Sequence, residues 1–411
     1  MTSTGTLAPA DAARVLADGC KHVETLAELT ERIGRGRPLR VKFGIDPTGS
    51  ELHLGHAVVL HKMQQFVELG HDVTLLIGDA TALIGDPSGR NDSRPPLTRE
   101  QIDANLATYA QQAGLILDLA RVTVRKNSEW LDRLDYAALI RLMTQTTVAQ
   151  MLAREDFRNR FESQTPIALH EFLYPVAQAY DSVALECDVE LGGDDQLFNF
   201  LLARTYQQSA GQLPQICLTL PILEGTDGVV RMGKSRGNYL ALTEPPNTQF
   251  GKVMSIPDAL VARWARLADF RSADEAAAIA AGIAAGTRAA MDEKKALAQA
   301  IVTRYHGAEA GRAARDYFER TIQRKEVPAE MPELARNGHE KLVDLLVAAN
   351  FAESKRAAER LVSGGGVRVD GVVVTDPKAR WAAQGPAVLQ SGSRRFVRIV
   401  PSDRSGPAGS I

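Results

Sequence analysis

The stretch Val41 to His56 (Val-Lys-Phe-Gly-Ile-Asp-Pro-Thr-Gly-Ser-Glu-Leu-His-Leu-Gly-His) constrains the fold more than any other. Val41, Phe43 and Ile45 form a short apolar run suited to a buried strand, and Asp46-Pro47-Thr48-Gly49-Ser50 breaks it. Leu54, Val58, Phe66 and Leu69 then recur at helical spacing, with a stop at Gly70. The pattern is a strand, a polar turn and a helix N-terminus. His53 and His56 fall in the first turn of that helix, where free backbone N–H groups and the helix dipole favour an anion. Imidazoles there can donate hydrogen bonds to phosphate, and Gly55 lets a flat ring lie against the backbone. Two readings stand at this point: a nucleoside-triphosphate cradle, or two surface histidines near a helix start.

With 411 residues, 45% hydrophobic and 24% charged, the chain is expected to be globular with two or three domains. Lys+Arg 48 against Asp+Glu 50 leaves a net charge of -2, so no global field draws it to nucleic acid or to an anionic membrane. Any RNA contact must be local. Cys20, Cys187 and Cys217 lie far apart without metal-ligand spacing, which predicts a reducing compartment, no structural disulfide and no protein metal site. The cytoplasm is the expected location: the N-terminus lacks a basic region followed by an apolar core, and no apolar run approaches the roughly 20 residues that span a bilayer.

Residues 1 to about 38 place Val15, Leu16, Val23, Leu26, Leu29 and Ile33 at helical spacing, which predicts a helix packed on the domain that follows. Asp72 to Gly78 is a second continuous apolar run, of the kind that parallel strands buried on both faces produce. In the Gly/Pro-rich loop after it, Asp86 and Arg90 share a glycine-flanked turn and Arg94 follows. Ligands in open α/β sheets bind outside such strand ends. Val122 to Arg125 reads as a strand and Tyr136 to Arg160 as a helix. Ile167 to Ala184 reads as mostly helical with a kink at Pro175, and it places Tyr174, Gln178 and Asp181 on one face. That face is either a binding surface or a buried polar network. Val189 to Asn199 runs a strand into Gly192-Gly193 and then into Asp194, Asp195 and Gln196. After a strand at Cys217 to Leu223, Gly233 and Gly237 bracket Lys234 and Ser235, either a mobile basic loop able to close over phosphates or a solvated turn.

Pro245-Pro246 marks a boundary, residues 250 to about 325 are Ala-rich and almost strand-free, and Arg324 to Gly338 reads as a linker. From Arg336 to Val400 there are eleven basic residues and six acidic ones, a local charge of about +5 and the electrostatic footprint of RNA binding. A small α+β stability domain is the alternative. Two helical stretches, Lys341 to Asn350 and Ser354 to Ser363, precede a strand from Val367 to Val374. The expected architecture is α/β: a Rossmann-like parallel-sheet catalytic domain (1–245), a helical domain and linker (246–335), a small α+β RNA-binding domain (336–402) and a tail (403–411).

His53-Leu54-Gly55-His56 and Arg231-Met232-Gly233-Lys234-Ser235 together resemble the two signature motifs of class I aminoacyl-tRNA synthetases. The blocks 85–89, 174–181 and 192–196 are similar to the tyrosyl-tRNA synthetase family. Residues from about 340 to 400 resemble the S4 RNA-binding fold at the C-terminus of its bacterial members. The resemblance covers about residues 10 to 400. It implies a ligase that activates tyrosine with ATP to tyrosyl-adenylate and transfers it to the 3′ end of tRNA(Tyr). Mg2+ would accompany ATP, and the protein would be a homodimer built around an insertion at about 127–165. The resemblance assigns His53, His56, Thr48, Lys234, Arg90 and Arg94 to catalysis as pyrophosphate leaves. It assigns Asp46, Gly55, Asp195, Arg231, Lys234 and Ser235 to ATP, and Gly44, Asp86, Tyr174, Gln178, Asp181 and Gln196 to tyrosine, with Asp181 at the phenol. Lys42, also placed at the tyrosine, stands where many members have a tyrosine that touches the phenol; Glu190 stands for a common glutamine and Arg231 for a usual lysine. Lys355, Arg356, Arg360 and Arg368 are the expected RNA contacts. A tryptophanyl-tRNA synthetase shares the fold and both signatures, but Gln178, Asp181 and the S4-like tail speak against it. A non-catalytic RNA-binding descendant would have lost His53, His56 or Lys234, and all three are present.

Overall fold

Continuous apolar runs need cover on both faces, and the chain meets that need with a parallel sheet between helices. The computed structural model describes residues 7–88, 97–106, 108–324, 331–336, 340–381, 385–392 and 395–401, and the chain divides into two compact units, 1–305 and 306–411. In the first unit β1 (His22–Glu24), β2 (Arg40–Ile45), β3 (Asp72–Ile77), β4 (Val122–Lys126), β5 (Val189–Gly193) and β6 (Ile216–Leu220) form one sheet in the order β1-β6-β5-β2-β3-β4. β2 to β6 run parallel, and β1 pairs antiparallel with β6. From β2 the chain builds outward through β3 and β4, then returns to place β5 and β6 on the other side of β2. That reversal opens a crevice at the carboxyl ends of β2 and β5. β6 is buried throughout, while the edge strand β4 is largely exposed and β1 is only three residues long. No helix of the described residues is long and apolar enough to cross a membrane.

Several local expectations need correction. The N-terminal stretch is two helices, Pro9–Ala17 and Leu26–Gly34, separated by β1, because Gly19 takes a left-handed φ of 77° and the next residues join the sheet. Tyr136 to Arg160 is three helices, Tyr136–Met143, Val148–Leu152 and Glu155–Glu162. The Thr147 side chain caps a new start by accepting from the Gln150 N–H, a local bond that competes with helix continuation. Pro175 is the third residue of the helix Leu173–Ala184, inside the first turn where its missing N–H removes no helical bond, so it helps to start that helix.

The second unit holds β7 (Glu333–Arg336), β8 (Val367–Val369), β9 (Val372–Val374), β10 (Ala387–Ser391) and β11 (Arg395–Pro401) in the order β7-β11-β10-β8-β9. β7 lies within the expected linker and pairs with β11. The expected single strand from Val367 to Val374 is a hairpin, turned by Asp370 and Gly371 with φ of 47° and 82°. Its core gathers Leu342, Leu345, Leu346, Val362, Trp381 and Leu389 under the helices Leu342–Ala348 and Lys355–Ser363.

Candidate active site

The crevice at the strand reversal is a cavity of about 730 Å³. Its lining brings together Lys42, Gly44, Asp46, Thr48, His53, Gly55 and His56 from the first motif, and Asp86 from the loop after β3. Tyr174, Gln178 and Asp181 come from the helix Leu173–Ala184, Asp195 and Gln196 from the turn after β5, and Arg231, Lys234 and Ser235 from the late loop. Arg90 and Arg94 lie outside the described residues. Lys355, Arg356, Arg360 and Arg368 belong to the second unit, where all four are exposed and Lys355 pairs with Asp344 at 2.7 Å.

At one end of the cavity the helix Leu54–Glu68 begins. His53 is its N-cap: its Nδ1 accepts from the Gly55 N–H, and Nδ1 of His56 accepts from the His53 N–H, both at 3.1 Å. The rings sit 3.9 Å apart, and a Cβ on Gly55 would lie 3.0 Å from the His53 ring, so only glycine leaves room. Burial, then the charge of Lys234, pushes the pKa of His56 down to about 4. Burial also takes His53 well below its ordinary value, aided by His56 and Lys234. Both rings are therefore neutral near pH 7, and with Nδ1 accepting, each keeps an Nε2–H to donate. The late loop meets the polar turn between β2 and this helix, since a Cβ on Gly49 would lie 2.7 Å from Lys234 Nζ. Arg231 pairs with Asp195 at 2.8 Å. This end presents neutral donors, a helix N-terminus and two cations, which suits a polyphosphate.

Elsewhere along the cavity is a chain of buried polar groups. Asp181 accepts from Trp130 Nε1 at 2.7 Å and Asn127 Nδ2 at 3.2 Å. Burial lifts its pKa to about 7, against the opposing charge of Lys42. Lys42 pairs with Glu190 at 3.1 Å, each side chain 2% exposed. Burial opposes the charge on Lys42, but Glu190 and then Asp181 outweigh it and hold its pKa above the ordinary value. Gln178 Nε2 donates to Glu190 at 3.2 Å, and Asn199 Nδ2 donates to Gln178 Oε1 at 2.7 Å and to Gln196 Oε1 at 2.9 Å. Gln196 Nε2 donates to Asp86 at 3.0 Å. Burial, with Asp46 and Asp86 nearby and a hydrogen bond to Asp46, keeps the Tyr174 phenol protonated.

Asn127, Trp130, Arg154 and Asn199 were not singled out from the sequence. They hold the lining residues from behind, and no spacing rule links Trp130 to Asp181 across 51 positions. Glu190, noted in the sequence only as standing for a common glutamine, lies in register with Lys42 on the neighbouring strand.

A family profile described as "tRNA synthetases class I (W and Y)" matches residues 35–323, and one described as "S4 domain" matches residues 340–380. A tyrosine–tRNA ligase of Thermotoga maritima is 47% identical over 393 residues, 96% of this chain and 98% of that protein. One from Bordetella avium is 48% identical over 391 residues, covering 94% and 95%. Among solved structures, a tyrosyl-tRNA synthetase from Archaeoglobus fulgidus complexed with L-tyrosine matches with a TM-score of 0.62 at 25% identity, over 75% of this chain and 99% of that one.

Proposed function

This chain belongs to the class I tRNA synthetases (W and Y), and from that premise we infer that its cavity carries out the tyrosine–tRNA ligase reaction of its relatives. Tyrosine, ATP and tRNA are the substrates. The tyrosine carboxylate attacks the α-phosphate of ATP, pyrophosphate leaves, and a 3′-terminal ribose hydroxyl of tRNA(Tyr) then takes the tyrosyl group from the adenylate, releasing AMP. No side-chain nucleophile is needed, so the protein contributes positioning and charge stabilisation.

The observation that carries this reading is the meeting, in one cavity, of both signature motifs with the Tyr174, Gln178 and Asp181 face. In our assignment His53, His56, Thr48 and Lys234 stabilise the departing pyrophosphate, and Asp46, Gly55, Asp195, Arg231 and Ser235 hold ATP. Asp86, Tyr174 and Gln178 take the tyrosine ammonium, Gln196 its carboxylate, and Asp181 with Lys42 the phenol, beside Gly44. Magnesium would arrive on the ATP phosphates as part of the substrate. We further propose a cytoplasmic homodimer, supported by the exposed apolar side chains Tyr136, Ile140, Met143, Val148 and Phe161 on the segment 127–165. The proposed domain limits are 1–245, 246–335 and 336–402, with Lys355, Arg356, Arg360 and Arg368 on tRNA.

Asp181→Ala tests the substrate assignment. A buried carboxylate meant for a phenol is left unpaired when phenylalanine enters, which makes rejection strong. The variant should lose most of its preference for tyrosine over phenylalanine in pyrophosphate exchange, and full retention of that preference would break the assignment.

A further inference from the structure

Between the helices Val148–Leu152 and Glu155–Glu162 the chain sends one cation inward. Arg154 is 5% exposed and is not among the residues that line the cavity. Its Nη1 donates to Asn199 Oδ1 at 2.9 Å, its Nη2 donates to Ser88 Oγ and lies 3.9 Å from Asp86 Oδ1, and its Nε is 2.9 Å from Asp156 Oδ1. The rings of Phe157 and Phe198 lie 5.5 and 5.7 Å from its guanidinium carbon.

A guanidinium only donates and a carboxylate only accepts, so the hydrogen bonds between them run in one direction. Asn199 must turn its oxygen to Arg154, so its amide nitrogen faces the two glutamines. Gln178 and Gln196 must then both present Oε1 to Asn199, at 2.7 and 2.9 Å. Their nitrogens are left for carboxylates, Glu190 at 3.2 Å and Asp86 at 3.0 Å. Two amide oxygens with a lone pair to spare thus meet at Asn199, and Gln196 links them to the Asp86 carboxylate, the acceptor set an ammonium group needs. With a neutral group at 154, Asn199 Oδ1 loses its charged donor and Asp86 the cation beside it, so Asn199 no longer holds the two glutamines and the carboxylate in one arrangement.

We propose that Arg154 is a positioning residue for the tyrosine ammonium: acting through Asn199 and Asp86, it holds in place the amides and the carboxylate that receive the substrate's amino group. This rests on the reading of the cavity as the tyrosine site. Lysine at 154 keeps the charge but lacks the planar fork that serves Asn199, Ser88 and Asp156 together.

The test compares the intact protein with Arg154→Met, Arg154→Lys and Arg160→Met in tyrosine-dependent ATP–pyrophosphate exchange, with thermal unfolding measured alongside. Arg160 pairs with buried Glu171 at 2.5 Å in the same segment, so its loss reports destabilisation alone. Arg154→Met should raise the KM for tyrosine about 10-fold or more, as expected for loss of charge-assisted hydrogen bonds, and leave the KM for ATP nearly unchanged. Arg154→Lys should fall between it and the intact protein, and Arg160→Met should lose thermal stability with its tyrosine KM kept. If Arg154→Met does not fold, Arg154→Lys decides by the same split. A tyrosine KM unchanged in the Arg154 variants, or a parallel rise in both KM values, overturns the proposal. An intact protein inactive with tyrosine removes the functional reading itself, and this inference with it.

Discussion

At the scale of single residues the account turns on the protonation of Asp181 and of His56 and on the cation of Lys234. Asp181 titrates near 7 because burial outweighs Lys42, and the phenol proton needs an ionised acceptor, so kcat/KM for tyrosine should rise with pH through about 7. Asp181→Asn should abolish that rise; a flat profile in the intact protein would take Asp181 out of phenol recognition. The stability consequence has its own sign. Folded Asp181 keeps a proton that the unfolded chain has released, so its contribution is full below the ordinary carboxylate value of 3.8 and is lost as pH rises toward about 7. His56 works in the opposite sense. The unfolded imidazole takes up a proton below 6.5 and the folded one only near 4, so stability falls as pH drops across that window. Thermal midpoints of His56→Asn should therefore decline less steeply between pH 6.5 and about 4 than those of the intact protein. Lys234→Ala should slow single-turnover adenylate formation roughly 100-fold or more while tyrosine still binds, because a phosphate clamp acts mainly in the transition state. An unchanged rate would remove Lys234 from the mechanism.

At the scale of elements, the first strand and helix do the positioning. His53 caps the helix Leu54–Glu68 with the ring that also lines the cavity, and Gly55 is the residue whose missing Cβ allows it. Gly55→Ala should push the ring aside, cost about 1 kcal/mol of stability in urea unfolding as a lost cap does, and slow adenylate formation more than that loss implies. Normal activity would mean that the ring has room to spare. This helix and β2 were legible in the sequence because their apolar periods are long and bounded by Asp-Pro and Gly. The helix read across Tyr136 to Arg160 was not, because the Thr144 to Thr147 run is polar at helical spacing yet prefers to cap. The hairpin at Asp370-Gly371 carried a readable turn signal that the valine run around it hid.

At the scale of the whole molecule, the division of labour is between a cavity in one unit and a basic surface in the other. Removing residues 336–411 should leave tyrosine activation nearly intact, impair tRNA charging and flatten the salt dependence of tRNA binding. Equal charging by both proteins would make that segment a stability module. Cavity-lining residues were readable because they cluster in short polar blocks at strand ends and on one face of the helix Leu173–Ala184. The groups behind them, Arg154, Asn199, Asn127 and Trp130, were not, because the bonds from Arg154 to Asn199 and Ser88 and from Asn127 and Trp130 to Asp181 span 45 to 66 positions and only the fold forms them. The most direct test of the account is ATP–pyrophosphate exchange by the purified protein with each of the twenty amino acids in turn. Tyrosine should support exchange far above all others, and faster exchange with tryptophan, or none with tyrosine, would contradict it.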